Sequence, residues 1–171
     1  MEIRLFGTIE ATGRTGPLAL GSLVQYRALG VLALNLSNVV PTEHLGAALA
    51  AESSGPVSRR GIQNVVVQIR KGLALEGTVC VLTVGRGYVL NAAPEAIDLY
   101  RAVLLIHRAR QEISSAQSAR GLEAAMTMWK EPLFGCLATP QMKEMAGRKI
   151  EMLLYSEYRP SFELPAAARW P

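Results

Sequence analysis

Residues 58–73 present two unlike sides on a helical wheel, and this pattern limits what the chain can fold into. The apolar side chains gather on one side at helical spacing. They are Ile62, Val65, Val66, Ile69 and Leu73. Five other side chains, called here the outer stripe, fall within about 60° of the opposite direction. They are Arg60, Gln63, Asn64, Val67 and Lys71. With Ser58 as a suitable N-cap, the pattern predicts a helix that packs on one side and leaves the outer stripe free.

Two short apolar, β-branched runs follow the predicted helix. They cover residues 79–83 and 86–90, and only two residues separate them, which predicts a β-hairpin. Arg86 stands at the tip of this hairpin. The two glycines beside Arg86 are not a dinucleotide fingerprint, because that fingerprint needs a following helix whose N-terminus holds the pyrophosphate.

The segment before residue 58 predicts a small sheet and two helices. Apolar and polar residues alternate over residues 3–9, the period of a strand with one buried face, and residues 18–20 can form a short returning strand. Apolar helical patterns then begin after Ser22 and Thr42, which suit N-caps. An antiparallel sheet, three helices and a C-terminal hairpin compose a winged helix-turn-helix. We therefore expect residues 1–93 to form such a DNA-binding domain, with its third helix in the major groove.

The composition changes at Pro94, and three amphipathic helical patterns follow. We expect residues 94–171 to form a short, TPR-like helical domain with a loose tail, which makes the whole chain mainly α with a small β content. The last predicted helix has a face of large apolar side chains. They are Met142, Met145, Ile150 and Leu153. A short array leaves that face without a next repeat to cover it, so we expect a homodimer.

Positive charge is concentrated around the predicted third helix and hairpin. The whole chain carries a net charge of +4, and residues 57–93 alone carry this excess. Such a concentration is typical of a surface that contacts phosphates. On the outer stripe, arginine and lysine can contact guanine or phosphate, glutamine and asparagine can bond to adenine, and a valine can meet the thymine methyl. We therefore expect double-stranded DNA as a partner, with Arg59, Arg70 and Arg86 on its phosphates.

Two other interpretations of these residues stay open. A solvated helix face with one exposed valine accounts for the outer stripe equally well. The winged helix or the helical array would then be a protein-interaction module, in which DNA binding is incidental or lost. An enzyme is not expected, and neither is a cofactor or a metal, because His44 and His107 have no carboxylate or cysteine partner at triad or metal spacing.

The sequence shows neither a membrane span nor a secretory signal pattern, and these two observations lead to the expected compartment. No apolar run approaches the roughly 20 residues of a membrane span, and the N-terminus does not have the pattern of a secretory signal. We expect no membrane contact and a cytoplasmic, nucleoid-associated protein. Cys80 and Cys136 have neither metal nor disulfide spacing, and we expect both to be buried thiols.

Several short motifs occur in the order found in a known family. Within the predicted winged helix they are residues 25–29, 38–40, 62–63, 66–67, 69–71 and 85–90, and beyond it residues 97–99, 109–110 and 128–135. Through them, over about residues 2–154, the chain resembles the Streptomyces antibiotic regulatory proteins (SARP family, AfsR-like activators). These combine an OmpR/PhoB-type winged helix-turn-helix, as in two-component output domains, with a bacterial transcriptional activator domain (BTAD) related to tetratricopeptide repeats.

This resemblance implies an activator of a secondary-metabolite gene cluster, such as one for antibiotic biosynthesis. It implies binding to direct repeats near a promoter and recruitment of the RNA polymerase holoenzyme. In this family the turn between the second and third helices, here residues 51–57, is implicated in the polymerase contact.

Overall fold

A computed structural model describes residues 1–14, 16–18, 20–50, 55–74, 78–129 and 131–155. Within these residues the chain is mainly α-helical, with six α-helices and two small antiparallel sheets. Two features expected from the sequence lie outside them. These are the larger part of the turn at residues 51–57 and the loose C-terminal tail.

The first sheet contains three short antiparallel strands. They are β1 (Glu2–Arg4), β2 (Glu10–Gly13) and β3 (Gly16–Pro17). The chain reverses after β1 at Gly7, whose φ of +76° is a left-handed conformation that glycine adopts at little steric cost. The prediction of one strand over residues 3–9 is therefore wrong. The chain returns at β3, and the Leu18 N–H donates to the Ala11 carbonyl oxygen of β2 at 2.8 Å; residue 19 of the predicted returning strand lies outside the described residues. Leu5 and Ile9 are nevertheless buried. The alternation of apolar and polar residues therefore predicted which side chains are buried, although the residues do not form one continuous strand.

Helix α1 (Leu23–Leu34) lies at the centre of the core. Residues 28–34 are buried without interruption, so the second half of α1 is covered on every side. A Cβ added at Gly30 would lie 2.7 Å from the Cδ1 atom of Ile9. Gly30 therefore allows the N-terminal segment to pack directly on the backbone of α1.

Two further helices and a hairpin follow α1. The helices are α2 (Thr42–Ala48) and α3 (Arg59–Leu73). The hairpin consists of β5 (Cys80–Val84) and β6 (Gly87–Asn91), and β4 (Val40–Pro41) pairs with the other edge of β6. The strand order is β4-β6-β5. The predicted helix and hairpin are confirmed as elements, and each hairpin strand lies one residue further along the chain than the sequence predicted.

The remaining helices are α4 (Asp98–Gln111), α5 (Ser115–Met128) and α6 (Pro140–Tyr155). Helix α6 folds back onto α1, α2 and α4. Met142 and Leu153 are consequently 0% and 1% exposed, and the expectation that the last helix leaves its apolar face open is wrong. Large apolar side chains are instead exposed on and just before α5. They are Ile113, Leu122 and Met126.

Asp98, at the start of α4, holds the N-terminal strand region. Its buried carboxylate accepts backbone hydrogen bonds from Leu5 at 2.8 Å, Phe6 at 3.0 Å and Leu99 at 2.8 Å. Burial raises the pKa of Asp98 above its ordinary value, although these three N–H groups act in the opposite direction. The carboxylate thereby satisfies backbone donors that would otherwise be buried without a partner.

Side chains also link the later helices to the earlier ones. The Tyr100 hydroxyl donates to the carbonyl oxygen of Leu34 at 2.8 Å, and the Thr139 hydroxyl donates to that of Ala48 at 2.8 Å. These bonds and a shared hydrophobic core join the start of α4 to the end of α1 and place α6 against α1 and α2. The outward side of α3 is left exposed. The domain boundary at residue 93 stays a prediction.

Candidate nucleic-acid interface

Helix α3 is positioned by a cap at its start and by burial of its inner side. The Ser58 hydroxyl oxygen accepts the backbone N–H of Gly61 at 3.2 Å, which confirms the predicted cap. Four apolar side chains of α3 are no more than 3% exposed. They are Ile62, Val66, Ile69 and Leu73. Their packing fixes the rotation of α3 about its own axis, and with it the direction of the opposite side.

All five residues of the outer stripe are exposed. They extend over about 16 Å along the helix axis, at about 1.5 Å per residue. Val67, in the middle of the stripe, is 44% exposed. The surface therefore combines two cationic side chains, two amides and one apolar contact point on a single helix face. Val65, which the wheel assigned to the apolar side, is half-buried.

Arg86 occupies the turn of the hairpin, after Gly85 with its φ of +58°. The backbone carbonyl oxygen of Arg86 accepts two hydrogen bonds from Thr42, at 3.0 Å from the N–H group and 2.8 Å from the hydroxyl. A Cβ added at Gly87 would lie 2.5 Å from the carbonyl oxygen of Val40. The hairpin turn thus rests directly on the start of α2, with the Arg86 side chain exposed.

The sequence predicted Thr42 as the N-cap of α2, but Thr42 instead holds the hairpin turn. Pro41 takes the N-cap position of α2, and Thr42 is the first helical residue. Its hydroxyl bonds to a residue 44 positions further along the chain instead of capping its own helix. No local sequence signal distinguishes these two roles.

A cleft of about 530 Å³ lies where α2, the start of α3 and the hairpin turn meet. Its lining includes Pro41, Thr42, Glu43, Ala47, Pro56, Val57, Arg59 and Arg86. Two arginines that are 27 positions apart in sequence therefore line the same cleft. Two cations beside an open groove can hold an anionic group such as a phosphate, and Glu43 adds one negative charge to the same lining.

Arg70 lies exposed near the end of α3, but its guanidinium group is engaged within the chain. Nε donates to the carbonyl oxygen of Val81 at 2.8 Å, and Nη2 donates to the hydroxyl of Thr83 at 2.7 Å. Both acceptors belong to β5. The structure therefore connects Arg70 to the hairpin, whereas Arg59 and Arg86 both line the cleft.

The other candidate groups do not form a second polar centre in the part of the chain described. No group of three or more histidine, cysteine or acidic residues there is arranged to hold a metal ion. Both Cys80 and Cys136 are exposed, so the expectation of buried thiols is wrong. Among the helices described, none has both the length and the apolar character to cross a membrane.

Comparison with known proteins gives a relationship at the level of the fold. No protein-family model matches the chain, and neither does any curated protein. Among solved structures, the chain is similar to Mycobacterium tuberculosis EmbR, whose structure was determined in complex with a low-affinity phosphopeptide. The TM-score is 0.68 at 25% sequence identity, over 78% of this chain and 37% of the EmbR chain. The chain thus spans little more than a third of that protein, and over that length it has an EmbR-like fold.

Proposed function

We propose that this chain is a sequence-specific, DNA-binding transcriptional regulator of the SARP type. The observation that carries this proposal is the outer stripe of α3, which is exposed along its length and lies beside a cleft lined by Arg59 and Arg86. The EmbR-like fold supports the same conclusion. In this proposal α3 enters the major groove of double-stranded DNA, and the hairpin is the wing that reaches the neighbouring backbone.

The outer stripe has the side chains that read base edges. Gln63 and Asn64 can each make paired hydrogen bonds to adenine, and Arg60 and Lys71 can donate to guanine or to phosphate. The exposed methyl groups of Val67 suit contact with a thymine methyl group.

The cleft supplies contacts that do not depend on sequence. Arg59 comes from the start of α3 and Arg86 from the hairpin turn, so a phosphate between them would bind both elements at once. Such contacts fix the register of a protein on the duplex, while the base contacts select the sequence.

The finer parts of the proposal rest on the resemblance to the SARP family. They are binding to promoter direct repeats, recruitment of the RNA polymerase holoenzyme and activation of a secondary-metabolite gene cluster. A cytoplasmic, nucleoid-associated location agrees with this role. We also propose a homodimer. The apolar face of α6 is buried within the chain, so we assign the dimer contact to the exposed apolar residues of α5.

An interaction module is the second candidate, and one observation favours it. Leu122 and Met126 on α5 are 40% and 73% exposed, as expected for a helix that contacts a protein partner. If this function were the principal one, neutralising the basic residues at α3 would leave it unchanged.

The test is selection of duplexes from a random pool by the purified protein, followed by mobility shifts with excess nonspecific DNA. We expect an enriched sequence that survives the competitor. A variant with Arg60→Ala and Gln63→Ala should lose that preference. The matched control, Arg108→Ala with Arg120→Ala, removes two exposed cations from α4 and α5 and should retain it. Recovery of no preferred sequence by the wild-type protein would rule out sequence-specific binding.

A further inference from the structure

Arg70 differs from the neighbouring cations of α3 in what its side chain contacts. Its guanidinium donates to the Val81 carbonyl at 2.8 Å and to the Thr83 hydroxyl at 2.7 Å. These two acceptors are two residues apart on one strand. The planar guanidinium has donors directed along several fixed directions, so it can engage both acceptors at once, whereas a lysine ammonium is a single point of charge on a flexible stem.

The strand that Arg70 engages leads directly into the hairpin turn. Strand β5 is at the edge of the sheet and ends at Val84, two positions before Arg86. In the hairpin, Thr83 pairs with Tyr88, which places the Arg70 contact next to the turn. A bond to Thr83 therefore restrains the part of the hairpin that carries Arg86.

The hairpin turn is held from two sides. Arg70 connects β5 to α3, and Thr42 connects the Arg86 carbonyl to the start of α2. Together these hydrogen bonds fix the position of Arg86 relative to α2 and α3. Arg86 and Arg59 line the same cleft, and this arrangement depends on the position of the hairpin turn.

We propose that Arg70 is a positioning residue for DNA binding, which holds the hairpin so that Arg86 lies in register with the outer stripe of α3. This inference rests on the proposed function. It replaces the expectation that Arg70 is a phosphate contact with an indirect role: the guanidinium acts through Arg86. The two roles differ in whether the effects of Arg70 and Arg86 are independent.

A double-mutant cycle separates the two roles. Affinity for the duplex selected by the wild-type protein is measured for wild type, Arg70→Ala, Arg86→Ala and the double variant. Arg70→Ala alone should weaken binding by about tenfold, within the range of coupling between interacting residues. In the Arg86→Ala background, the same change should weaken binding by less than about twofold. Losses that multiply fully in the double variant would show that Arg70 contacts DNA independently, and would overturn the proposal.

Thr83→Val gives a second test without removing any charge. It deletes one of the two acceptors of Arg70, and Arg70→Lys removes the double contact while it keeps the positive charge. Both variants should weaken binding in the same direction as Arg70→Ala, and both effects should vanish when Arg86 is already alanine. Lys71→Ala, at the adjacent position of the outer stripe, is the control, and its effect should multiply with that of Arg86→Ala. Full binding by both Thr83→Val and Arg70→Lys would contradict the positioning role.

Hydrogen exchange in the absence of DNA tests whether Arg70 holds the hairpin, independently of whether the protein binds DNA. In Arg70→Ala and Thr83→Val, the amides of β5 and β6 should exchange faster while those of α1 keep their protection. If hairpin exchange does not change, Arg70 does not hold the hairpin, whatever the DNA result. If hairpin exchange changes but the wild-type protein selects no duplex, the restraint exists, and both the proposed function and the DNA role of Arg70 are overturned.

Discussion

The carboxylate of Asp98 accepts the backbone N–H of Leu5 at 2.8 Å, across 93 positions of sequence. This bond joins the start of α4 to the chain just after β1, and a hydrogen bond from the Phe134 N–H to the Leu5 carbonyl oxygen at 2.7 Å follows beside it. Both polar groups of the Leu5 backbone are thus satisfied by residues from the second half of the chain. The N-terminal sheet region is therefore held by the start of α4 and by the segment between α5 and α6, as well as by its own strands.

Asp98 should make stability depend on pH in a defined direction. Since burial raises its folded-state pKa, the native state binds the proton more readily than the unfolded chain. The part of the Asp98 contribution to the free energy of unfolding that comes from proton binding is then fully present below the ordinary carboxyl pKa, and this part is lost as pH rises through the raised pKa. Urea unfolding at several pH values should show this dependence in wild type and its loss in Asp98→Asn.

A truncation at the same position tests the hydrogen bonds. Asp98→Ala should lower the free energy of unfolding by about 3 kcal/mol or more, because three buried N–H groups lose their acceptor. The exposed Glu95, in the short turn before α4, supplies the control. Glu95→Ala should not change stability measurably, and an equal effect of both variants would refute the special role of Asp98.

The outer stripe should determine sequence preference. Gln63→Ala or Asn64→Ala should weaken binding to the selected duplex by about 1–3 kcal/mol and relax the preference at one base pair. Gln68→Ala is a matched control, because Gln68 is also exposed on α3 but lies outside the stripe. Binding titrations on duplexes with single substitutions measure both quantities. If the Gln63 and Asn64 variants behaved like the Gln68 variant, the stripe would not read bases.

Arg59 and Arg86 should act on the DNA backbone. Neutralising either one should weaken binding to all duplexes alike and reduce the slope of log K against log salt by about 1. Arg120→Ala removes a cation from α5 and should leave the slope unchanged. Titrations at several salt concentrations, on the selected duplex and on a scrambled one, provide the measurement. If the variants lost binding only to the selected duplex, and the slope of log K against log salt did not change, these arginines would be assigned to base recognition.

Neighbouring residues of α6 should differ strongly in their contribution to stability. Leu153 is 1% exposed and Met152 is 51% exposed. Leu153→Ala should lower the free energy of unfolding by about 2–5 kcal/mol because it leaves a cavity, and Met152→Ala should change it by no more than about 0.5 kcal/mol. Denaturant unfolding compares the two variants directly. Similar values for both would contradict the packing of α6 against the earlier helices.

Helix α5 should determine the oligomeric state. Met126→Glu places a charge on the exposed apolar surface, so it should shift a homodimer toward monomer without lowering thermal stability of the monomer. Sedimentation velocity over a range of protein concentrations is the measurement, with Met152→Glu on α6 as the matched exposed control. A wild-type protein that remains monomeric at tens of micromolar would exclude the homodimer.

Local periodicity was sufficient to predict α3, its cap and the hairpin. The apolar positions of α3 recur at helical spacing, and a helix in contact with a core must bury that side whatever surrounds it. Ser58 caps within three residues of its own position. The same local reasoning failed at Gly7, because alternation of apolar residues records burial and does not distinguish a continuous strand from a reversal.

The amino-acid sequence therefore determined which side of α3 packs and which side carries the outer stripe, since both depend on residues a few positions apart. Only the tertiary structure decided that Arg59 and Arg86 share a cleft, that Arg70 engages β5, and that α6 buries Leu153. Each of these depends on groups that approach in space from distant positions of the chain. A hydrogen bond or an apolar contact acts over a few ångströms, so its partners are defined by the packing of whole elements and leave no periodic trace in the sequence.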